Sequence, residues 1–400
     1  MYKIYLVCRS SSFINRDRHK HVAGHDTNRS AMKVICLMSG SSLDGLDIAY
    51  AKFDVEQDEI SFRLIQAETI EFTAQWQRRL QNLPKVDALS FAKTHTYFGH
   101  LMGDMVNHFI QKHGLDVDFI ASHGHTVFHN PEGRMTIQIG DGAALAAITG
   151  LPVINNFRTH DIAINGEGTP LAPIADKYLF KGYDFYLNIG GIANISCPID
   201  KGFVAFDIGA ANQIFNPLAH LMHLPYDDKG EVAKSGKVNT TLLNAINSID
   251  YFQKDYPKSL DNSWVQQNVL LPYLTAQDTI ANRLRTAVEQ LAQQTAFAIQ
   301  HIINKEKLPQ KAEGFDVFVT GGGAFNRFLI DRTEEVCNEM NIPAKFIVAP
   351  PKIVEYKEAL LIGLMGVLRV ENKVNVMRSV TGAKVDTIGG AIWQGTDKVI

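Results

Sequence analysis

The chain has 400 residues, of which 46% are hydrophobic and 20% are charged, and this balance excludes a disordered protein, a fibrous repeat and a small disulfide scaffold. Thirty-nine Lys and Arg residues against 42 Asp and Glu give a net charge of −3, which argues against a dedicated nucleic-acid binder because such proteins carry a basic excess. The length predicts two or three domains at roughly 100–200 residues each.

The four cysteines are scattered without a CxxC pair, so we predict reduced thiols of a cytoplasmic protein rather than a disulfide framework. No run approaches about 18 uncharged apolar residues, and we therefore expect no membrane span. The composition does not exclude a partner that binds at a local site.

Residues 1–31 differ from the rest of the chain. They contain six basic residues against two acidic ones, a local charge of +4 (6 − 2). Their short apolar run precedes the basic stretch, which is the reverse of a secretory signal, whereas a transit peptide is an alternative. We expect a poorly ordered extension without catalytic function, upstream of a true translation start at Met32.

From Met32 onward the sequence alternates apolar runs with helical patterns. Two apolar runs joined by a Gly/Ser turn come first, and a long helical pattern follows with Leu89, Phe98 and Leu101 near one face. The predicted elements of this part are strands at 34–38, 47–54, 119–121 and 152–155 and helices at 87–113 and 142–149.

A second strand–turn–strand unit follows about 150 residues after the first. Its turn again consists of small residues, which suggests an internal duplication of two similar domains. The predicted elements of this part are strands at 186–189, 193–197, 204–206 and 315–319 and helices at 278–304, 327–340 and 356–370. Strands separated by helices throughout predict an α/β architecture.

The segment 38–47, MSGSSLDGLD, is a tight turn of small residues between two predicted strands. Such a turn lets backbone N–H groups and Ser hydroxyls approach an anion closely. Asp44 and Asp47 follow this turn, and we predict that they hold a phosphate-bound Mg²⁺ directly or through water. The alternative is a hairpin loop without a ligand.

Three glycines at 321–323 stand between a predicted strand and a predicted helix, a turn that suits a nucleotide phosphate or base edge. The alternative is a turn needed only for packing. Segments 187–194 and 206–212 repeat the pattern.

Asp207 is predicted to end an apolar strand, where its carboxylate can face a cleft as a general base. The alternative is that Asp207 is a cap or turn residue.

His123, His125 and His129 lie close together in the sequence. His125 and His129 are four residues apart, a spacing used by metal ligands, but the β-prone residues between them favour imidazoles that line a cleft. Arg158 and Asp161 are candidates for a substrate clamp or, alternatively, for a structural ion pair.

Glu358 lies on the predicted helix 356–370 beside apolar residues. A carboxylate on such a face is costly unless it is paired or functional, so Glu358 is a further site candidate. Its neighbours Glu355 and Lys357 are predicted to be solvated.

Ten motifs, in this order, resemble those of the anhydro-N-acetylmuramic acid kinase family within the sugar kinase, actin and heat-shock chaperone superfamily. The resemblance covers nearly all of 32–396. In chain order the motifs are MSGSSLDGLD (38–47), SHGHTVFHNP (122–131), QIGDGAALA (138–146), FRTHDIA (157–163), GEGTPLAP (166–173), NIGGIANIS (188–196), FDIGAAN (206–212), TGGGAFN (320–326), KEALLIGLMG (357–366) and VTGA (380–383).

The resemblance implies two actin-like, ribonuclease H-like lobes with a cleft between them, one formed by 32–156 plus 380–400 and the other by 157–379. It also implies conversion of 1,6-anhydro-N-acetylmuramic acid, ATP and water into N-acetylmuramate 6-phosphate and ADP, in peptidoglycan recycling. An aspartate activates the water that attacks the anomeric carbon, and the freed O6 attacks the γ-phosphate. We expect a cytoplasmic homodimer whose partners are small molecules and not nucleic acid or membranes.

The same resemblance assigns the base to Asp207. Cofactor-binding residues would be Gly40, Ser41, Ser42, Leu43, Asp44, Gly45, Leu46 and Asp47 in the ATP loop, and Gly190, Gly191, Gly321, Gly322, Gly323 and Asn326 in later turns. Substrate-binding residues would be His123, Arg158, Asn212 and Glu358, with Mg²⁺ at Asp44 and Asp47.

Four motifs depart from the family pattern. FDTGPGN reads FDIGAAN, GTS reads Gly-Ser-Ser at 40–42, GQGAPL reads GEGTPL at 166–171 and SHGQT reads SHGHT. The first and third bear on sugar specificity, so a kinase for a related anhydro sugar is an alternative. Two further alternatives are a metal-dependent carbamoyl-transfer enzyme of the same superfamily, supported by His125 and His129, and an actin-like or chaperone-like ATP-driven binding module.

Overall fold

The computed structural model describes residues 31–40, 43–57 and 59–400. The expectations for 1–30 and the assignment of Ser41 and Ser42 to the ATP loop lie outside the described residues. Within the part that is described, no helix combines the length and the apolar character needed to cross a membrane.

The described strands form two separate sheets. The strands are β1 (Met32–Ser39), β2 (Gly45–Glu56), β3 (Glu59–Glu71), β4 (Phe119–Asn130), β5 (Met135–Ile139), β6 (Val153–Asn155), β7 (Phe185–Ile189), β8 (Ile192–Ile199), β9 (Gly202–Ala210), β10 (Phe315–Thr320), β11 (Ala344–Val348) and β12 (Ala391–Trp393).

Helices cover the sheets and connect their parallel strands. They are α1 (Ala74–Asn82), α2 (Ala88–His113), α3 (Gly142–Thr149), α4 (Thr159–Ala163), α5 (Ala172–Tyr178), α6 (Asn212–His220), α7 (Glu231–Ser235), α8 (Thr240–Asn247), α9 (Asp250–Gln253), α10 (Asn262–Val265), α11 (Leu271–Thr275), α12 (Ile280–Glu306), α13 (Arg327–Glu339), α14 (Pro351–Val370) and α15 (Arg378–Thr381). Single turns of other helix types lie at Leu83–Lys85, Asp228–Gly230, Gln266–Leu270 and Gly322–Phe325.

The two sheets have the same topology. In the first, β3-β2-β1 form an antiparallel meander, and β4 and then β6 continue parallel to β1. In the second, β9-β8-β7 form the meander, and β10 and then β11 continue parallel to β7. This repeated order confirms the duplication and the two-lobed α/β fold class predicted from the sequence.

The caps of the long helices are encoded locally. The Asp87 carboxylate accepts the Ser90 N–H at the start of α2, and Gly114, with φ +60°, ends that helix. Thr279 caps α12 in the same way, through the Asn282 N–H. These side chains satisfy backbone groups that the helix itself leaves unpaired, which is why both helices match the predicted ranges to within two residues.

Helix α14 packs directly on the first sheet, against β1, β2 and β4. A Cβ at Gly363 would lie 2.2 Å from Cys36 Sγ, and one at Gly366 would lie 2.8 Å from the Ala121 Cβ, so these two glycines let the helix approach the strands. The same apolar cluster includes Phe318 of the second sheet. Helix α14 therefore contacts both sheets, although it falls in the range 157–379 expected for the second lobe.

Three predicted boundaries differ from the structure by more than two residues. The strand expected at 119–121 continues as β4 to Asn130, so His125 and His129 lie on a strand. Helix α14 begins at Pro351 rather than at 356. Asp207, expected at a strand end, lies inside β9, where a bulge opposite Ala193 and Asn194 interrupts the alternation of side chains. A strand can continue through polar residues beyond its apolar run, and the apolar run alone does not show where the strand ends.

Candidate active site

Two glycine turns of the second sheet meet at one point. The Asn212 N–H donates to the Gly190 carbonyl at 3.1 Å, which joins the β7–β8 turn to the start of α6. The Asn212 side chain in turn faces Gly322, because a Cβ there would find its Nδ2 at 3.8 Å as the nearest atom. Asn212 thus lies beside the triple-glycine turn and not with His123 and Arg158.

The three glycines after β10 differ in what their surroundings require. Gly321 has φ +81°, and a Cβ would lie 2.6 Å from the Ile189 carbonyl oxygen. A Cβ at Gly323 would lie 2.3 Å from Ile189 Cγ2. Gly322 is exposed and has no such neighbour. Packing therefore explains the outer two glycines, while the middle one leaves its backbone open to a ligand.

Asp44 and Asp47 flank the start of β2. Asp44 is exposed and accepts the Gly45 N–H at 3.0 Å, while Asp47 is half-buried and accepts the Thr69 hydroxyl at 2.6 Å. Burial raises the pKa of Asp47, and the negative charges of Asp44 and Glu355 add to the rise, against the Thr69 hydrogen bond. Two carboxylates close enough to repel each other are a donor set that suits a divalent cation with oxygen ligands.

Asp207 lines a cavity of about 540 Å³ between the β9 strand and the loops 165–173 and 257–260. Its Oδ2 accepts the Leu260 N–H at 2.8 Å, and its backbone carbonyl accepts the Tyr251 hydroxyl at 2.8 Å. Burial raises the pKa of the Asp207 carboxyl, opposed by the Leu260 N–H. The side chain is half-buried, held from one side and exposed to the cavity, as a proton acceptor requires.

A second cavity, of about 200 Å³, brings together His123, Arg158 and Glu358. Arg158 Nε donates to His123 Nε2 at 3.1 Å, and His123 Nδ1 donates to the Gly124 carbonyl at 3.1 Å. These two bonds require a neutral imidazole, and burial, together with the Arg158 charge, lowers the pKa of His123 to about 3. The ring therefore orients the guanidinium without carrying a charge.

The charges of Arg158 and Glu358 face each other across this second cavity. Burial lowers the pKa of Arg158 to about 10, and the negative Glu358 opposes that shift. Glu358 is accessible through the cavity, yet enough protein surrounds it to raise the pKa of its carboxyl, and Asp47 adds to the rise while Arg158 opposes it. Three candidates from distant parts of the sequence thus form one polar group.

The two cavities are parts of one cleft, because the same side chains line both. Those shared residues are Thr169, Pro170, Ala172, Asn188, Asn194 and Lys357. Asp207 therefore lies at one end of the cleft and the Arg158–Glu358 pair at the other.

Some candidates serve the fold through their side chains. Asn326 Oδ1 accepts the Leu329 N–H at 3.0 Å and so caps α13. Leu46 is fully buried in the first lobe, and a Cβ at Gly45 would lie 2.6 Å from the Ile70 carbonyl oxygen. A nucleotide can therefore contact these residues only through their backbone groups or through adjacent residues. Ile208, where the family pattern has Thr, is buried in the core of the second lobe.

The histidine pair and the predicted clamp have internal partners. His125 Nδ1 is hydrogen-bonded to the Ser39 hydroxyl at 3.3 Å, and His129 Nδ1 to the Thr136 hydroxyl at 3.2 Å. Asp161 is fully buried and accepts bonds from within the protein, so its role as a substrate clamp was predicted wrongly. Across the described residues, no group of three or more His, Cys, Asp or Glu side chains is placed to hold a metal ion.

A buried ion pair in the cleft was missed. Lys357 was predicted to be solvated, but its side chain is only 9% exposed and its Nζ lies 3.0 Å from Asp176 Oδ1. Asp176 Oδ2 accepts the Ser196 hydroxyl at 2.8 Å. The signal that could have found the pair is the apolar run of 359–368, which predicts a buried helix whose first charged residues need partners. Glu355, also predicted to be solvated, is exposed.

A family model described as anhydro-N-acetylmuramic acid kinase matches residues 32–395. The chain belongs to the anhydro-N-acetylmuramic acid kinase family. Curated relatives with that name include proteins of Pseudoalteromonas atlantica, 32% identical over 80% of this chain and 85% of the relative, and of Coxiella burnetii, 30% identical over 91% and 98%. A third, from Hydrogenovibrio crunogenus, is 28% identical over 92% of this chain and 99% of the relative.

The family membership confirms the resemblance drawn from the ten motifs. It does not favour the carbamoyl-transfer alternative, and it identifies an enzyme rather than a binding module. A solved ROK family glucokinase from Streptomyces griseus, in complex with glucose and AMPPNP, matches with a TM-score of 0.37 and 12% identity over 83% of this chain and 97% of that chain. The fold class rests instead on the strand order of the two sheets.

Proposed function

We propose that this chain is the ATP-dependent kinase that opens 1,6-anhydro-N-acetylmuramic acid with water and phosphorylates O6, in cell-wall recycling. The carrying observation is the position of Asp207, half-buried on a cavity wall and continuous with the cavity of Arg158 and Glu358. The names of the relatives support the sugar.

The proposed reaction joins two steps. A water molecule attacks the anomeric carbon and passes a proton to Asp207, while the bond from that carbon to O6 breaks and leaves its electron pair on O6. O6 then forms a bond to the γ-phosphorus, and the bond from phosphorus to the leaving oxygen breaks with its electron pair on ADP. Glycoside cleavage ordinarily uses a second carboxyl group as acid, but here the phosphoryl group captures the leaving oxygen.

The environment of Asp207 fits the role of base. A base is most effective when its pKa lies nearer the working pH than the ordinary value of an aspartate. Burial moves the pKa of Asp207 in that direction, while the Leu260 N–H holds one oxygen in place. The carboxylate is thus both oriented and a stronger proton acceptor than one on the protein surface.

We place the nucleotide against the glycine turns. Gly322 and Gly191 are exposed at neighbouring turns, where backbone N–H groups can approach phosphates without a side chain between. Asp44 and Asp47 fit Mg²⁺, because both are carboxylates and their charges repel each other at the start of β2. When bound, the ion neutralises charge on the phosphates.

We place the sugar between Asp207 and Arg158. Arg158, oriented by His123, and Glu358 supply a hydrogen-bond fork and a carboxylate at the opposite end of the cleft. Glu167, which the family pattern replaces with Gln, lies on the wall of the larger cavity. It is therefore placed to affect sugar choice, whereas Ile208 is not, because it faces the core.

We also propose the finer properties expected from the family. These are action in the cytoplasm as a homodimer, ATP and an amino sugar as the ligands, and a division into lobes at 156/157 and 379/380. Helix α14 contacts both sheets and so bridges the two proposed lobes.

The decisive experiment is an ADP-release assay coupled to a chromogenic reaction, with 1,6-anhydro-N-acetylmuramic acid beside 1,6-anhydro-N-acetylglucosamine and 1,6-anhydroglucose. We expect release with the muramic acid derivative and formation of its 6-phosphate by mass spectrometry. Asp207→Asn should bind ATP normally and lose turnover by about 10³-fold or more. No ADP release with any sugar would overturn the proposal, and release with another sugar alone would reassign the substrate.

A further inference from the structure

Lys357 is the only buried lysine among the residues the structure describes. Its Nζ lies 3.0 Å from Asp176 Oδ1 and donates to the Thr320 hydroxyl at 3.4 Å. Two charges taken out of water cost free energy that their attraction does not always repay, and apolar residues of similar volume are often at least as stable. A buried Lys357–Asp176 ion pair is therefore not explained by stability alone, which points to a functional role.

Of the six residues that line both parts of the cleft, Lys357 is the one with a charged side chain. One part contains Asp207 and the other contains Glu358, the next residue of α14. Its partner Thr320 is the last residue of β10 and directly precedes Gly321, the first glycine of the nucleotide turn. The ammonium thus lies where the proposed nucleotide side and the proposed sugar side of the cleft meet.

Asp176 holds this ammonium in a fixed place. Its Oδ2 is occupied by the Ser196 hydroxyl at 2.8 Å, and its Oδ1 is left for Lys357. The ammonium forms an ion pair with Asp176 and donates one of its three N–H bonds to the Thr320 hydroxyl, so N–H donors remain for a ligand. A donor that is already oriented can stabilise developing charge without the cost of reorganisation during the reaction.

We propose that Lys357 is a further catalytic residue, which donates one of its remaining N–H bonds to the γ-phosphoryl group as that group passes from ATP to O6. This inference rests on the proposed function. The bond from O6 to phosphorus forms while the bond from phosphorus to ADP breaks with its electron pair on ADP, and Lys357 keeps its proton throughout. The role of Asp176 is to hold the ammonium in position, so Asp176 is a positioning residue.

The test separates this role from a purely structural ion pair. Lys357→Met removes the ammonium but leaves Asp176 buried without its partner, so this variant alone can fail to fold. The double variant Lys357→Met with Asp176→Asn removes both charges and keeps the bond to Ser196 available. Lys345→Met is the matched control, because Lys345 is exposed on β11 at the far edge of the second sheet.

We expect the double variant to recover the parental melting temperature and to lose kcat by about 10²–10³-fold, with KM for ATP and sugar within about twofold. Lys345→Met should match the parent in every measure. A double variant with parental kcat would make the pair structural and overturn the inference, as would a rise in KM with unchanged kcat. If the parent protein releases no ADP with any sugar, the proposed function is wrong. If the parent is active and the double variant keeps the same kcat, only the role of Lys357 is wrong.

Discussion

Asp207 and Glu358 are two carboxyl groups at opposite ends of one cleft, and burial raises the pKa of both. Their surroundings differ in what opposes that rise. At Asp207 it is a neutral backbone donor, Leu260 N–H, and at Glu358 it is the positive charge of Arg158 and, to a smaller extent, of Lys357. A group held by a neutral donor can take up and release a proton without breaking an ion pair, which favours Asp207 as the base.

This difference predicts the pH dependence of turnover. As the pH falls through the raised pKa of Asp207, the carboxylate is protonated and can no longer accept a proton from water. We expect the acid limb of kcat/KM for the sugar to lie above 3.8, the ordinary value for an aspartate. The measurement is the pH profile of ADP release in a series of buffers at constant ionic strength.

Glu358→Gln is the control for this profile. The acid limb should persist at the same pH in that variant, with lower overall activity, if Asp207 sets it. A limb that disappears in Glu358→Gln would transfer the titration to Glu358 and contradict the assignment.

At the scale of elements, the turn from β10 into α13 shows how one short motif combines two demands. Gly321 and Gly323 are closed in by Ile189 of the neighbouring strand β7, whereas Gly322 is open. The motif was interpreted from the sequence as a ligand turn with packing as the alternative. Packing explains Gly321 and Gly323, and the ligand interpretation stays a prediction for Gly322.

The two kinds of glycine should separate in a pair of variants. Gly323→Ala places a Cβ against Ile189 and should lower the free energy of unfolding by about 1–3 kcal/mol. Gly322→Ala should change stability by less than about 0.5 kcal/mol but raise KM for ATP, because a methyl group then covers the open backbone. Urea denaturation and ADP-release kinetics measure the two effects, and equal destabilisation by both substitutions would contradict the distinction.

At the scale of the whole molecule, the chain returns near its C-terminus to the loop that lines the cleft. Asp161 accepts the Gly168 N–H at 2.8 Å and the Thr381 hydroxyl at 2.8 Å, and the Glu167 N–H donates to the Thr381 carbonyl at 2.8 Å. After this contact, β12 pairs with β6 at the edge of the first sheet. The loop 165–173 is therefore anchored by residues more than 200 positions later in the chain.

Asp161→Ala should expose the importance of this anchor. It leaves the buried Gly168 N–H without its acceptor and leaves the Thr381 hydroxyl only its longer bond to the Met377 carbonyl, so we expect the free energy of unfolding to fall by about 2–5 kcal/mol. Thr381→Val, which removes one hydrogen bond and keeps the shape, should cost about 1–3 kcal/mol. Both are measured by urea denaturation. An Asp161→Ala protein with parental stability that no longer binds sugar would instead restore Asp161 as a substrate contact.

Eight of the twelve described strands, the long helices and the glycine turns were predicted from the sequence because each depends on neighbours within a few residues. Strands β3, β5, β11 and β12 were not predicted. Alternating apolar runs, the Asp87 and Thr279 caps and the glycines at 321–323 are local signals. The ten ordered motifs determined the family in the same way, residue by residue. The repeated turn chemistry was also enough to suggest two similar lobes, which the sheet topology confirms.

Only the tertiary structure decided which charged residues are buried and which of them meet. Lys357 and Glu355 are two positions apart on one helix, yet one is buried in the cleft and the other is exposed. His123, Arg158 and Glu358 share one cavity although the last is 200 residues beyond Arg158. A side chain's burial and partners depend on how distant strands and helices pack around it, and no local pattern specifies that packing.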